Sequence, residues 1–278
     1  MQEGPLIARF GRARRDPSLA VLEGFHPLKH ALRFGANVLV AVTRDTDELE
    51  RLALQLAPDL AAQIAELAQP VQASVFDQLA PLPPTTGVIA LAERRTIAPA
   101  ALLADAREAP IVLLEDPRDL GNMGACVRVA AAADAAGVLS TGSHDPWAPD
   151  ALRGAAGLHF ALPVARLSTL EELGPAGGLL EGDALDATGA RDPNGAPLAH
   201  GRPLLALDPD GEPLLARELP PRALLAFGTE RYGVSDVLLA RADARISIPM
   251  RAGVSSLNLA TSVAAVLFAW RLAGAAAR

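Results

Sequence analysis

The sequence predicts an α/β protein with a mostly parallel β-sheet, preceded by a smaller α/β unit. Short apolar runs of strand length alternate with helical patterns along most of the 278 residues, which is typical of a parallel sheet covered on both faces. Polar loops follow three of these runs. An alanine- and proline-rich segment at residues 94–110 separates the two parts. We therefore predict one domain at 1–105 and a second at 106–278.

The first part contains the patterns of a small α/β unit. It begins with an arginine-rich segment. Strands are then predicted at residues 20–23, 37–43, 71–75 and 87–92, and helices at 27–34, 47–56 and 59–67.

Strands and helices alternate in the second part from residue 111 onward. Strands are predicted at 111–115, 138–141, 160–164, 204–207, 223–227 and 246–250, and helices at 124–135, 149–156 and 235–242 and after residue 257. Residues 174–202 are crowded with Gly, Pro, Asp and Asn, which predicts a surface loop.

The apolar stretch at 257–277 is almost long enough to span a bilayer. It is rich in alanine and is interrupted by Asn258 and Arg271, so a buried helix is the better interpretation and no membrane association is predicted. Apolar residues on both of its sides predict that this helix packs against its own sheet and against a second subunit.

Composition excludes several kinds of site. Cys126 is the only cysteine, so the chain forms no internal disulfide and no thiolate metal cluster, and a reducing cytoplasm is the expected location. The five histidines are scattered without a metal-ligand spacing, and no metal is predicted. The N-terminus lacks the apolar core of a signal peptide, because arginines interrupt it.

The formal net charge of -7 is unusual for a protein that binds nucleic acid, because phosphate contacts require cations. The charge is unevenly distributed, however, and the first 35 residues are locally basic. Guanidinium groups can donate two hydrogen bonds to one phosphate. The candidate RNA-binding residues are Arg9, Arg12, Arg14, Arg15 and Arg33.

Three polar loops follow apolar strands. Residues 122–128 read Asn-Met-Gly-Ala-Cys-Val-Arg, and residues 228–233 read Gly-Thr-Glu-Arg-Tyr-Gly. Residues 246–258 read Ile-Ser-Ile-Pro-Met-Arg-Ala-Gly-Val-Ser-Ser-Leu-Asn and lead into the last helix. Loops at the carboxyl ends of parallel strands are where α/β proteins build their sites.

In this order and wording the loops closely resemble the three motifs of the SpoU (TrmH) family in the SPOUT superfamily of RNA 2'-O-ribose methyltransferases. The family patterns are Asn-x-Gly-x-x-x-Arg, Gly-x-Glu-x-x-Gly, and Ile-Pro-Met followed by Ser-Leu-Asn. The resemblance implies a SPOUT domain with a C-terminal trefoil knot, whereas general rules predict an unknotted sheet. Leu-Glu-Gly at 22–24 and Thr-Thr-Gly at 85–87 resemble a substrate-binding domain of the L7Ae/L30e type.

The resemblance also implies the catalytic residues, which are Arg128, Asn122, Glu230, Ser256 and Asn258. A guanidinium is a poor base near neutral pH, because its pKa lies above about 12. Arg128 therefore either has a lowered pKa or grips phosphate and stabilises the developing alkoxide, and we favour a mixed role. Asn122 and Ser256 each have a structural alternative as the N-cap of the helix that follows, and Arg128 has the alternative of an ordinary surface arginine on a helix.

By the same resemblance, main-chain groups near Gly228, Gly233, Ile248, Met250 and Leu257 are expected to hold S-adenosylmethionine. Glycine lets the backbone approach a ligand closely. No Gly-x-Gly-x-x-Gly or Gly-x-x-x-x-Gly-Lys loop supports an unrelated nucleotide-binding enzyme.

The resemblance therefore implies a homodimeric enzyme that transfers a methyl group from S-adenosylmethionine to a ribose 2'-hydroxyl of RNA, with an active site completed across the subunit interface. Ribosomal RNA is the expected substrate, because the first part resembles domains that accompany rRNA-modifying members. Transfer RNA is the alternative substrate. An inactive RNA-binding protein of the same fold is the alternative function, although the motif residues are intact.

Overall fold

The protein divides into two compact units in a computed structural model that describes residues 3–173, 201–214, 219–229 and 231–276. Met1–Thr96 and Trp147–Ala161 form the first unit, and Ile97–Pro146 and Leu162–Arg278 form the second. Trp147–Ala161 therefore packs with the first unit although it interrupts the sequence of the second. A single division at 105/106 does not describe these units, and the functional division at that position stays a prediction.

The described strands and helices are numbered in chain order. The strands are β1 Leu19–Glu23, β2 Val38–Thr43, β3 Ala68–Pro70, β4 Val88–Glu93, β5 Ile111–Leu114, β6 Gly137–Ser140, β7 Val164–Arg166, β8 Leu204–Pro213, β9 Leu224–Phe227 and β10 Ala244–Ser247. The helices are α1 Glu3–Ala13, α2 Phe25–Arg33, α3 Thr46–Leu56, α4 Ala61–Leu67, α5 Ala73–Phe76, α6 Pro99–Leu103, α7 Leu120–Ala132, α8 Pro149–Gly154, α9 Asp236–Leu239 and α10 Leu259–Ala276. Short 3₁₀ turns lie at Pro58–Leu60, Leu158–Phe160 and Leu170–Leu173.

The first unit is built on a four-stranded mixed sheet in the order β1-β4-β2-β3. β4 is antiparallel to both of its neighbours, and β3 is parallel to β2. α1 covers this sheet with Leu6, Phe10 and Ala13, which are buried at the i, i+4 and i+7 positions of one helical face. The predicted strand at 71–75 is wrong, because the strand there is β3 and the residues after it form α5.

Trp147–Ala161 is held within the first unit by polar contacts. The carboxylate of Glu23 is buried in β1 and forms ion pairs with the guanidinium groups of Arg14 and Arg153, the latter from α8. Nδ1 of His30 lies 2.7 Å from the carbonyl oxygen of Ala156. Burial lowers the pKa of His30, an effect that the Ala156 carbonyl partly opposes.

The second unit contains a six-stranded sheet in the order β10-β8-β9-β5-β6-β7, and every described strand pair in it is parallel. This confirms the predicted parallel α/β architecture. Every residue of β5, β6 and β9 is buried, as expected for strands covered on both faces. The predicted strand at 160–164 is displaced, because a 3₁₀ turn occupies Leu158–Phe160 and β7 follows it.

A buried arginine stabilises the second unit away from its three polar loops. Arg202 donates hydrogen bonds to the main-chain carbonyls of Leu103, Asp105 and Ala109. Burial, assisted by the nearby charge of Arg222, lowers the pKa of Arg202 to about 10.

Of the predicted loop at 174–202, residues 174–200 lie outside the described residues. Within the described segments, no helix combines the length and apolar character that a membrane crossing requires.

Candidate active site at the carboxyl edge of the parallel sheet

A cavity of about 400 Å³ opens at the carboxyl ends of β9 and β10 and beside residues 207–209 in the middle of β8. Neighbouring parallel strands end at the same edge, so their loops converge there. The lining residues are Leu207, Asp208, Pro209, Phe227, Gly228, Thr229, Arg231, Tyr232, Gly233, Ile246, Ser247, Ile248, Met250, Ser255, Ser256, Leu257, Leu259 and Ser262. The size is in the range of small-molecule sites.

The loop after β9 closes tightly on itself. Two backbone hydrogen bonds of 3.0 Å join Thr229 and Gly233, and Gly233 has a φ of 70°. A Cβ atom on Gly228 would lie 1.9 Å from the backbone carbon and oxygen of Gly233. Only glycine therefore fits at position 228, and this close approach shapes one wall of the cavity.

Asn258 directly precedes α10 and links it to α7. Its Oδ1 accepts hydrogen bonds from the backbone N–H groups of Ala260 and Thr261, at 2.9 and 3.3 Å. Its Nδ2 donates to Oδ1 of Asn122, 3.0 Å away. Asn258 is therefore the cap of α10, and the structural alternative of Ser256 as that cap is wrong.

Asn122 lies inside α7 rather than before it. The helix begins at Leu120, earlier than the predicted residue 124, and its N-cap is Asp119, whose Oδ1 accepts from the backbone N–H of Asn122 at 2.6 Å. The structural alternative for Asn122 is therefore wrong, because its side chain faces Asn258 and a different residue caps the helix.

Arg128 lies six residues further along α7, about 9 Å along the helix axis. Its side chain is exposed, and the structure does not bring it into the lining of the cavity. The exposed or half-buried stripe around it carries small residues, namely Gly121, Ala125 and Ala132. α10 runs beside α7, because Nη1 of Arg271 donates to the carbonyl oxygen of Ala133 near the end of α7.

The predicted cofactor residues all line the cavity: Gly228, Gly233, Ile248, Met250 and Leu257. Of the predicted catalytic residues, Ser256 lines it as well. Asn122 and Asn258 contact each other at the starts of the two adjacent helices. Glu230 lies outside the described residues.

Several residues of the cavity were not predicted from the sequence. Asp208 contributes a carboxylate, which pairs with Arg245 at 3.3 Å. Asp208 directly follows the predicted strand at 204–207, and this position at the end of a strand could have identified it as a site residue. Ser262 lies four residues after Asn258, one turn into α10, so helical spacing could have identified it. Glu115 lies outside the lining and accepts hydrogen bonds from the backbone N–H and Oγ of Ser235, which hold the start of α9.

The predicted RNA-binding arginines of the first unit differ in their availability. Arg9, Arg12 and Arg15 are exposed. Arg14 is partly buried and binds Glu23 and the carbonyl oxygen of Leu79, so its main contacts are internal. Arg33 pairs with Asp59 at 2.6 Å and lowers the pKa of that carboxyl group.

The sequence pattern of the SpoU rRNA Methylase family matches residues 109–177 and 196–268, just over half of the chain. The chain belongs to this family. Among the residues that the structure describes, no group of three histidine, cysteine or acidic side chains could hold a metal ion.

Two curated relatives of this family member are informative. It is 32% identical over 185 residues to the 23S rRNA (guanosine(2553)-2'-O)-methyltransferase RlmP of Bacillus subtilis, covering 63% of this chain and 62% of that protein. It is 30% identical over 159 residues to the 23S rRNA (uridine(2479)-2'-O)-methyltransferase of Streptomyces viridochromogenes, covering 56% of this chain and 50% of that protein. The chain thus spans between half and two thirds of the length of these relatives.

Solved structures share the fold along nearly the whole chain. The SpoU methyltransferase AviRb from Streptomyces viridochromogenes, in complex with AdoMet, superposes with a TM-score of 0.71 at 20% identity, covering 96% of this chain and 98% of that one. A structure described as an RNA 2'-O ribose methyltransferase has a TM-score of 0.69 at 26% identity, covering 96% and 95%.

Proposed function

We propose that the protein transfers a methyl group from S-adenosylmethionine to a ribose 2'-hydroxyl of RNA, and that ribosomal RNA is the substrate. Family membership and the rRNA 2'-O-methyltransferase names of the relatives support this function. The observation that carries the proposal is the cavity. Five residues named from the motifs alone, two in the loop after β9 and three in the segment between β10 and α10, all line it.

The cavity fits the cofactor in size and in the character of its wall. Its volume of about 400 Å³ suits a small molecule, and at Gly228 the wall is backbone with no room for a side chain. Gly228, Ile248 and Leu257 would hold the adenine and ribose through main-chain groups. When bound, the cofactor supplies a methyl group on a positively charged sulfur, which an oxygen can attack in line.

The chain's own residues would position the acceptor and manage its charge. The ribose oxygen would form the new bond to the methyl carbon as the carbon–sulfur bond breaks, S-adenosylhomocysteine would leave as the neutral thioether, and the hydroxyl proton would pass to solvent water. Arg128 is exposed, which favours a grip on phosphate and stabilisation of the developing alkoxide. Ser256 lines the cavity, and we assign to it the orientation of Arg128 or of the substrate phosphate, together with Asn122 and Asn258. Glu230 remains one of the proposed catalytic residues.

We propose that the enzyme is a homodimer through α10 and α7. Phe268 and Leu272 on α10 are 39% and 67% exposed, and Leu257 just before the helix is 37% exposed. A second copy would remove this apolar surface from water. Because Arg128 does not line the cavity of its own chain, we assign it to the cavity of the partner subunit. Sedimentation of the protein as a monomer at the enzyme concentrations used for assay would contradict this arrangement.

Two features of the fold complete the proposal. The first is a trefoil knot in the second unit, for which the family membership is the support. The second is an L7Ae/L30e-like role of residues 1–105 in RNA binding, supported by the exposed arginines Arg9, Arg12 and Arg15. Because the substrate is ribosomal RNA, we place the reaction in the cytoplasm.

The test is tritiated methyl transfer to total RNA from a strain that lacks the protein. Methylated products should appear as alkali-resistant dinucleotides, because a 2'-O-methyl group blocks cleavage of its phosphodiester. Arg128→Ala should lower kcat by ~100- to 1000-fold, the typical cost of losing one group that stabilises an oxyanion. Arg51→Ala, which removes another exposed helical arginine, is the matched control.

Transfer that survives Arg128→Ala would remove Arg128 from this role. RNA binding by the wild type without any methyl incorporation would instead support the inactive RNA-binding alternative. Methylation found in the transfer RNA fraction alone would replace the proposed substrate.

A further inference from the structure

The loop after β9 presents an aromatic side chain at the mouth of the cavity. Tyr232 is the only tyrosine in the sequence. It lines the cavity and yet is 77% exposed, so most of its ring faces solvent at the opening. The guanidinium carbon of Arg231 lies 5.2 Å from the centre of this ring, a distance at which the cation is attracted to the π-face.

The backbone under Tyr232 is fixed. Two hydrogen bonds of 3.0 Å join Thr229 and Gly233, and the backbone N–H of Tyr232 donates to Oγ1 of Thr229 at 3.0 Å. The ring is therefore presented on a closed loop rather than on a free segment. A group held in place before binding loses less entropy when a ligand arrives.

One exposed cation lies in the described lining of the cavity. Two charged side chains occur in the described lining of the cavity, Asp208 and Arg231. Asp208 is largely compensated by its ion pair with Arg245, whereas Arg231 is exposed at the rim. Arg251 and Asp210, which directly follow the lining residues Met250 and Pro209, are both exposed, so the phosphate contact is argued from Arg231 alone. Phosphate groups are anions that guanidinium groups bind well.

We infer that Tyr232 and Arg231 form the binding platform for the target nucleotide, with an unpaired base stacked on the ring and a neighbouring phosphate on the guanidinium. This inference rests on the proposed RNA methylation. The acceptor ribose must enter the cavity mouth to reach the methyl group, which brings a base of the same strand to the exposed ring. Aromatic rings stack bases that have left a duplex. The substrate class is therefore RNA with an unpaired nucleotide at the methylated position.

The experiment measures the KM for RNA and the affinity for S-adenosylmethionine of the same variants. Total RNA from a strain lacking the protein is the probe, and calorimetry gives the cofactor Kd. Tyr232→Ala should raise the KM for RNA by roughly 10- to 100-fold, the range found for the loss of one base stack. The cofactor Kd should not change. Tyr232→Phe keeps the ring and should behave as the wild type.

Two further variants separate stacking and phosphate binding from general surface effects. Val237→Ala removes an apolar side chain that is 63% exposed and does not line the cavity, and it should leave the KM unchanged. Arg231→Ala should reduce the slope of log KM against log salt concentration by about 1, as expected for one lost phosphate contact.

The inference is overturned if the wild type is active and Tyr232→Ala leaves the KM for RNA unchanged. A loss of cofactor affinity that accounts for the whole effect, or dissociation of the dimer by Tyr232→Ala, would overturn it as well. Absence of methyl transfer by the wild type is a different outcome, because it refutes the proposed function itself. A hairpin RNA methylated equally well with its target nucleotide paired or unpaired would contradict the substrate class.

Discussion

Replacement of Gly228 by alanine tests whether the close approach of two backbone segments shapes the cavity. The added Cβ would lie 1.9 Å from the carbon and oxygen of Gly233 and 2.1 Å from the nitrogen of Val234. Non-bonded carbon atoms prefer separations of about 3.5–4.0 Å. The backbone at Gly233 must therefore move by more than about 1 Å, because all three atoms belong to the main chain and no rotamer change can relieve the overlap.

This movement breaks the two hydrogen bonds between Thr229 and Gly233, which are 3.0 Å long. Each such bond contributes about 0.5–1.5 kcal/mol to stability. Gly228→Ala should therefore lower the free energy of unfolding by about 1–3 kcal/mol, measured by urea denaturation. Because the same loop forms one wall of the cavity, calorimetry should show a large loss of affinity for S-adenosylmethionine.

Gly253→Ala is the matched control. Gly253 has a φ of 86°, a Cβ added there would meet nothing within 4 Å, and the residue does not line the cavity. Its substitution should cost about 1–2 kcal/mol of stability through left-handed strain alone and leave cofactor affinity intact. A Gly228→Ala variant that binds S-adenosylmethionine as the wild type does would refute the role of this contact.

Three further substitutions have defined outcomes. Asn258→Asp keeps the oxygen that caps α10 but loses the donor to Asn122, so urea denaturation should show a loss of about 1 kcal/mol, and a double-mutant cycle with Asn122→Ala should assign that loss to the pair. Burial raises the pKa of Asp243 above its ordinary value of 3.8. The folded protein therefore binds this proton more tightly than the unfolded chain, and the free energy of unfolding falls as pH rises through the pKa of Asp243. Asp243→Asn should stabilise the protein at pH ~7, and this gain in stability should disappear in acid. Burial lowers the pKa of His30 below its ordinary value of 6.5. The neutral imidazole therefore contributes fully to stability above pH ~6.5, and this contribution is lost as pH falls and the unfolded state binds the proton first. His30→Gln should flatten the pH dependence of thermal unfolding between pH ~7 and ~5.

The central strands of the second unit could be predicted because their burial is uniform. β5, β6 and β9 have no exposed face, so each is a continuous apolar run, and the loops after them stand out as polar. Convergence of those loops then follows from parallel pairing alone. The resemblance of these loops to the SpoU motifs, rather than burial or pairing, is what named the cavity residues Gly228 and Leu257.

Several helices were harder to predict than these strands. The sequence pattern does not predict α1, because its arginines obscure a buried face that repeats only at Leu6, Phe10 and Ala13. The apolar run at 71–75 predicts a strand, since runs of that length fit either type, but residues 73–76 form α5. The early start of α7 was missed because Gly121 and Asn122 are typical loop residues, although Asp119 supplies the capping signal.

The contacts of Trp147–Ala161 could not be predicted, because they depend on residues more than a hundred positions away. Arg153 appears in the sequence as an ordinary helical arginine, and Glu23 as a carboxylate in a strand. Their ion pair becomes necessary only when β1 buries the carboxylate, because an unpaired buried charge is strongly unfavourable. Periodicity carries no information about which distant cation meets it.

The position of Arg128 connects the proposed dimer to the proposed chemistry. One amide, that of Asn258, caps α10 and bonds to Asn122 on α7, so it fixes the starts of the two helices relative to each other. Arg128 lies on an exposed stripe of small residues on α7, and α10, which packs against α7, exposes Phe268 and Leu272. A partner that covered the apolar residues of α10 together with this stripe would find room for a second helix beside its small side chains. Dimerisation would therefore convert an arginine that contacts solvent in one chain into a group confined beside the cavity of another.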